Sequence, residues 1–115
     1  MRQWKKIYKQ LTADGIAVYA PAQHQGECTT PYVVVKAKTV SGISGYSSVQ
    51  AYYDLMCYIP KDQYSTLEDF VAEVKESMKK LFPEVVYDKF ETESYYDESV
   101  KGHMVSIQYR NNRKL

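Results

Sequence analysis

Two histidines, two cysteines and a crowd of acids are the residues with obvious chemistry in this chain. His24 and Cys28 stand close together, with Cys57 and His103 further along. Two thiolates and two imidazoles would make a tetrahedral zinc set. The segment that carries His24 and Cys28 is bracketed by Pro21 and Pro31, so no helix presents both on one face. Cys57 falls on the apolar side of a strand, where a small buried hydrophobe fits. Cys28 beside either histidine would also make a nucleophile and its base, yet nothing in the local sequence resembles a thiol-enzyme signature. Too few cysteines are present for a disulfide scaffold, and free thiols are the expectation in a reducing compartment.

The acids are Glu84, Asp88, Glu91, Glu93, Asp97 and Glu98. Paired carboxylates serve acid–base chemistry or bind hard cations. Their spacing here matches no calcium loop and falls on a strand–turn–strand, which reads as a charged, solvated edge. The run Ser41-Gly42-Ile43-Ser44-Gly45 is glycine-rich but lacks the lysine and following helix of a phosphate loop. No cofactor, no metal and no catalytic residue is therefore expected, and the chain reads as a protein that is not an enzyme.

The elements that position these residues follow from periodicity. Trp4, Ile7, Tyr8 and Leu11 form one apolar stripe of a helix over Arg2 to Ala13, ended by Gly15 as a left-handed cap. A short strand covers Gly15 to Ala20, a polar loop Pro21 to Pro31, and a β-rich run Tyr32 to Val40. Ser41 to Ser48 is a Gly/Ser-rich hairpin tip. Val49 to Ile59 is the clearest strand, with Val49, Ala51, Tyr53, Leu55, Cys57 and Ile59 on one side. Ser65-Thr66-Leu67-Glu68 reads as a capping box. It opens a helix with Leu67, Phe70, Val71, Val74, Met78, Leu81 and Phe82 on its stripe, stopped by Pro83. Strands at Glu84 to Glu91 and Lys101 to Tyr109 flank an acidic turn, Thr92 to Ser99. Arg110 to Leu115 reads as a mobile basic tail. The expected core draws on Trp4, Ile7, Leu11, Val33, Val35, Leu55, Cys57, Phe70, Val74, Met78, Leu81, Val105 and Ile107.

The order α-β-β-β-α-β-β, with short loops, predicts a single α+β domain over residues 1–115. Its sheet is mainly antiparallel, with both helices packed on one face. Size permits one core without staples. Apolar and charged fractions of 44% and 25% are those of an ordinary globular protein. No leader-like segment and no long apolar run appear, so neither membrane insertion nor export is expected. A net charge of +1 argues against a dedicated nucleic-acid domain, although Arg2, Lys5, Lys6 and Lys9 near one end and Arg110, Arg113 and Lys114 near the other are basic patches that permit incidental contact. Twelve tyrosines suit half-buried sheet faces, and the surplus leans toward a surface that touches other proteins.

This layout resembles the tail-terminator and head–tail joining (tail-completion) proteins of long-tailed bacteriophages and prophages. The resemblance is carried by the opening helix and short strand, by Pro31-Tyr32-Val33-Val34-Val35, and by the glycine/serine loop. It continues through the long strand from Tyr53 to Pro60, the helix from Ser65 to Pro83, and the closing strands. It spans nearly the whole chain and rests on order and spacing. It implies a virion structural protein without catalytic residues, found in the virion or the bacterial host cytoplasm. Its partners would be copies of itself in a ring, often hexameric, and the tail tube and head connector. It also implies an assembly contact near Ser41, Gly42, Ile43, Ser44, Gly45 and Tyr46.

Charge distribution suggests a second contact. Acids at Glu91, Glu93 and Asp97, with Tyr87, Tyr95 and Tyr96 as anchors, face a basic set made of Lys5, Lys9, Arg110 and Arg113. Unlike patches on one molecule favour head-to-tail association, which closes into a ring when the rotation allows. Two rivals remain. One is a cytosolic adaptor that binds a peptide or protein through its sheet. The other is a small enzyme using the acids of 84–98 with perturbed ionisation.

Overall fold

A computed structural model describes residues 2–23, 26–41 and 49–111. Helix α1 (Arg2–Ala13) leads into β1 (Val18–Tyr19), β2 (Tyr32–Ser41) and β3 (Val49–Pro60). A 3-10 helix (Lys61–Thr66) precedes α2 (Leu67–Met78), and a second short one (Lys79–Leu81) follows it. β4 (Val85–Glu91), β5 (Tyr95–Asp97) and β6 (Gly102–Asn111) complete the chain. The fold is the expected single α+β domain, with one sheet ordered β1-β2-β3-β6-β4 and β5 also on β6. Among the described residues, only the β1–β2 pair is parallel.

Side-chain alternation gives the sheet two faces. Val33, Val35, Tyr53, Leu55, Cys57, Ile59, Ile107 and Tyr109 point to the helices and are buried with Ile7, Leu11, Val71, Val74 and Met78. The expected core is largely this set. Trp4, Phe70 and Leu81 pack against it and are partly buried. The opposite face, carrying residues such as Val34, Tyr52, Met56 and Tyr58, has no helix over it among the described residues, and these side chains are half-buried.

α1 ends as its sequence requires. Gly15 has φ 82°, its N–H donates to the Thr12 carbonyl, and the Ile16 N–H donates back to Leu11. That is a Schellman closure, with Ile16 and Leu11 both buried behind it. Asp14 then ties the two helices. It accepts from Ser77 Oγ at 2.6 Å and from Lys80 Nζ at 3.0 Å. The Ser77 hydrogen bond, then Lys80, hold the Asp14 carboxyl below its ordinary value.

Four expectations are corrected. The capping box does not form. The 3-10 helix continues the chain into α2, and Thr66, at the N-cap, makes no side-chain cap bond and instead donates from Oγ1 to the Gln63 carbonyl at 2.7 Å. Phe82 leaves the helical stripe and is exposed, because α2 ends at Met78 and the residue before Pro83 turns extended, at ψ 137°. The acidic turn holds a strand. The Thr92 N–H donates to the Ser106 carbonyl, the Ser106 N–H donates to Thr92 Oγ1, and the stitched chain re-enters pairing at Tyr95–Asp97. The reversal is therefore shorter, and Asp97 Oδ1 closes it by accepting from the Ser99 N–H and hydroxyl. Finally, Arg110 is not in a tail. It lies in β6 opposite Tyr52 and Val86.

Candidate interaction surface

The β2–β3 hairpin is the longest regular feature. All 10 residues of β2 pair with β3 in one unbroken register, from Tyr32↔Tyr58 to Ser41↔Val49. β6 follows β3 only from Pro60 to Tyr52. Beyond that no further strand of the described residues flanks β3, and the Asn111 side chain accepts from the Ala51 N–H at 2.9 Å. A strand of 12 residues spans roughly 40 Å, which accounts for most of the 49 Å long dimension. Ser41 is the last residue of β2. Gly42, Ile43, Ser44, Gly45 and Tyr46, where the resemblance implies a contact, lie outside the described residues, as do His24 and Arg113.

Among the described residues, no strand covers the outer edge of β2 over most of its length. β1 pairs only with Val33 and Val34. The Val33 N–H donates outward to the Ala17 carbonyl at 2.9 Å, and the Val35 carbonyl accepts from Trp4 Nε1 at 2.8 Å. Odd-numbered residues of β2 thus turn their backbone groups outward, and an indole stands in for a strand at Val35. From Ala37 to Ser41 no strand of the described residues lies on that side. The opposite edge of the sheet differs. β4 carries a bulge between Tyr87 and Phe90, with Lys89 at φ 58°, which breaks the regular ladder.

The acids expected to face a neighbour are largely engaged within the chain. Lys6 pairs with Glu84, Lys75 Nζ lies 2.6 Å from Glu91, and Arg110 Nε lies 3.2 Å from Asp88. Gln108 Nε2 also donates to Asp88, at 2.5 Å. Lys5 and Lys9 stand exposed on α1. Glu93 is exposed, and Asp97 is spent on its turn. The structure therefore brings Tyr87 and Glu91 together on β4, while Tyr95, Tyr96 and Asp97 lie on β5 and Lys5 and Lys9 on α1.

Tyr87 and Glu91 form a latch with Lys75 that sequence reading missed. The Tyr87 hydroxyl donates to Glu91 Oε2 at 2.5 Å, and Lys75 Nζ sits 5.1 Å from the Tyr87 ring centroid. The hydrogen bonds from Lys75 and Tyr87 hold Glu91 below its ordinary value. Burial alone would lower the Lys75 ammonium, but the Glu91 hydrogen bond and charge outweigh it and raise it. Burial and then Glu91 push the Tyr87 phenol up. The latch divides two grooves beside α2. One, of about 380 Å³, is lined by Met78, Lys79, Phe82, Val85 and Tyr109. The other, of about 500 Å³, is lined by Tyr64, Leu67, Val71, Thr92 and Ser94.

Near β5, aromatic rings gather around His103, with Tyr64 at 4.6 Å and Tyr96 at 5.3 Å between centroids. Tyr64 and Tyr95 are about half exposed. On the open face Tyr32 stacks on Tyr58 at 4.8 Å and meets Tyr19 edge-on. Cys28 is buried beside Gly102, and its N–H donates to the Val100 carbonyl. Burial pushes its thiol up to about 11 and that of Cys57 up to about 12, so neither is a thiolate at neutral pH. Among the described residues no group of three or more His, Cys, Asp or Glu could hold a metal ion, and no helix is long and apolar enough to cross a membrane. No protein-family model matches this chain, and no curated protein matches it.

Proposed function

We propose that this chain is a structural assembly protein rather than an enzyme, acting in phage or prophage tail termination and head–tail joining as a self-assembled ring. The reading rests on the resemblance set out above. The observation that carries it furthest is the β2–β3 hairpin, which outruns β6 and ends at the glycine/serine segment where the resemblance implies a contact. A hairpin that projects beyond its own sheet adds little to its own core, and its reach is useful to a neighbouring molecule. The tail tube and head connector are the remaining partners on this reading, in the virion or the host cytoplasm.

A hairpin-shortened variant tests it. Val40 and Gln50 are joined through a two-residue Asn-Gly turn, which suits a hairpin. The variant is expected to keep the wild-type melting transition and to lose self-association. A shortened variant that assembles like wild type refutes the assembly role of the hairpin.

The alternative is a cytosolic adaptor that binds a protein segment through its sheet. The uncovered edge of β2 favours it specifically, and a chain that stays monomeric while binding a foreign strand would establish it.

A further inference from the structure

We propose that the outer edge of β2, from Ala37 to Ser41, accepts an extended acidic segment of a partner protein as an added antiparallel strand. This goes beyond ring assembly and does not depend on it.

A regular strand with unpaired N–H and C=O groups is a template for another chain, and most proteins disarm it. This molecule breaks the backbone ladder at one edge and leaves it regular at the other. β4 has its bulge and a left-handed residue, whereas β2 holds an unbroken register with β3 and contains no proline from Tyr32 to Ser41. The two-residue β1 stops short, and Trp4 satisfies only the Val35 carbonyl. The outward backbone groups of Ala37, Thr39 and Ser41 follow in sequence. Strand addition uses such groups for affinity, and side chains at alternate positions for selection.

Lys36 and Lys38 supply the selection. Both sit on the open face, opposite Asp54 and Tyr52, so they flank the edge without blocking it. Lys38 Nζ is 3.7 Å from Asp54, and Lys36 has no ion-pair partner among the described residues. Directly opposed like charges destabilise a strand pair. Two copies joined edge to edge in the antiparallel registers that set Lys38 against Lys38, or Lys36 against Lys38, oppose like charges. Self-pairing is disfavoured in those registers, whereas the register that centres on Thr39 sets Lys38 against Val40. An incoming strand with carboxylates two residues apart meets both lysines on one face.

The test uses the full chain and three capped peptides. The first is acetyl-Val-Glu-Val-Glu-Val-Thr-Val-amide, the second has lysine in place of both glutamates, and the third is the acidic peptide N-methylated at the alternate residues that would donate to β2. The acidic peptide is expected to bind saturably and to slow amide hydrogen exchange at Ala37 and Thr39 by about tenfold or more. The N-methylated peptide and the Ala37→Pro variant should lose binding. Proline at position 37 removes an outward N–H and no bond to β3, so that fold should persist. Lys36→Glu with Lys38→Glu should transfer preference to the basic peptide. Equal binding of the N-methylated peptide, equal binding of the acidic and basic peptides, or no protection at saturation overturns the proposal. So does a wild-type homodimer that Ala37→Pro dissolves, since the occupant is then a second copy.

Discussion

The Trp4 indole donates to the Val35 carbonyl at 2.8 Å, and that one contact marks where the covered part of β2 ends. Trp4 also stacks on Tyr8 within α1, with centroids 5.5 Å apart, and both rings pack against the core, so that packing as well as the hydrogen bond seats the helix on the sheet. Trp4→Phe keeps most of the apolar body and removes the donor. It should cost about 1–2 kcal/mol in urea unfolding, with faster exchange confined to the start of β2. A loss spread evenly over the molecule would show that the indole acts through general packing instead.

The Tyr53 hydroxyl is buried with no hydrogen-bond partner among the described residues. Burial pushes its phenol up. A desolvated, unpaired hydroxyl costs free energy that phenylalanine does not. Tyr53→Phe should therefore be neutral or more stable than wild type by about 0.5–2 kcal/mol. A clear destabilisation in a chemical melt would mean that the hydroxyl is satisfied.

Core packing under α2 gives a third outcome. Val74 is fully buried, and Val74→Ala should cost about 1–3 kcal/mol through lost transfer and a cavity. Val74→Asp should prevent folding. A Val74→Asp protein with a wild-type urea midpoint would displace this face of the helix from the core.

The Lys75–Glu91 pair predicts a pH response with a definite sign. Glu91 and Asp14 both have folded values below the ordinary 4.5 and 3.8. Each therefore contributes stability above its ordinary value, and that stability is lost as pH falls through the lower folded value. Lys75 is raised above 10.5, so its contribution is complete below that value and is lost as pH rises through the higher folded value. The pair is partly exposed, so the coupling measured by a Lys75→Met and Glu91→Gln double-mutant cycle should be only about 0.3–1 kcal/mol at neutral pH. The urea midpoint of Glu91→Gln should fall less steeply than that of wild type on acidification. Equal slopes would mean that the latch carries no linkage.

Much of the fold was legible because period decides it. The Trp4-Ile7-Leu11 stripe and the Leu55-Cys57-Ile59 alternation each allow one element type, and Gly15 allows one kind of helix end. The failures have local causes. Thr92–Ser99 looks like a loop because its acids are solvated, and the strand at Tyr95–Asp97 is held by a Thr92 side-chain bond that no periodicity reports. The capping box was a correct pattern in the wrong place, since the preceding residues were already helical. For the surface, sequence counted charges but could not pair them. Lys75 and Arg110 meet Glu91 and Asp88 only because β4 folds beside α2 and β6. The free edge of β2 was equally hidden, because it depends on how little of β2 the short β1 covers.

Self-assembly into a closed ring is open to test by sedimentation velocity across protein concentration. From about 1 µM to about 1 mM, association driven by mass action should convert monomer into one larger species whose mass is a fixed multiple of the chain and then stops growing. A monomer throughout that range, or growth without limit as in an open filament, would contradict the account.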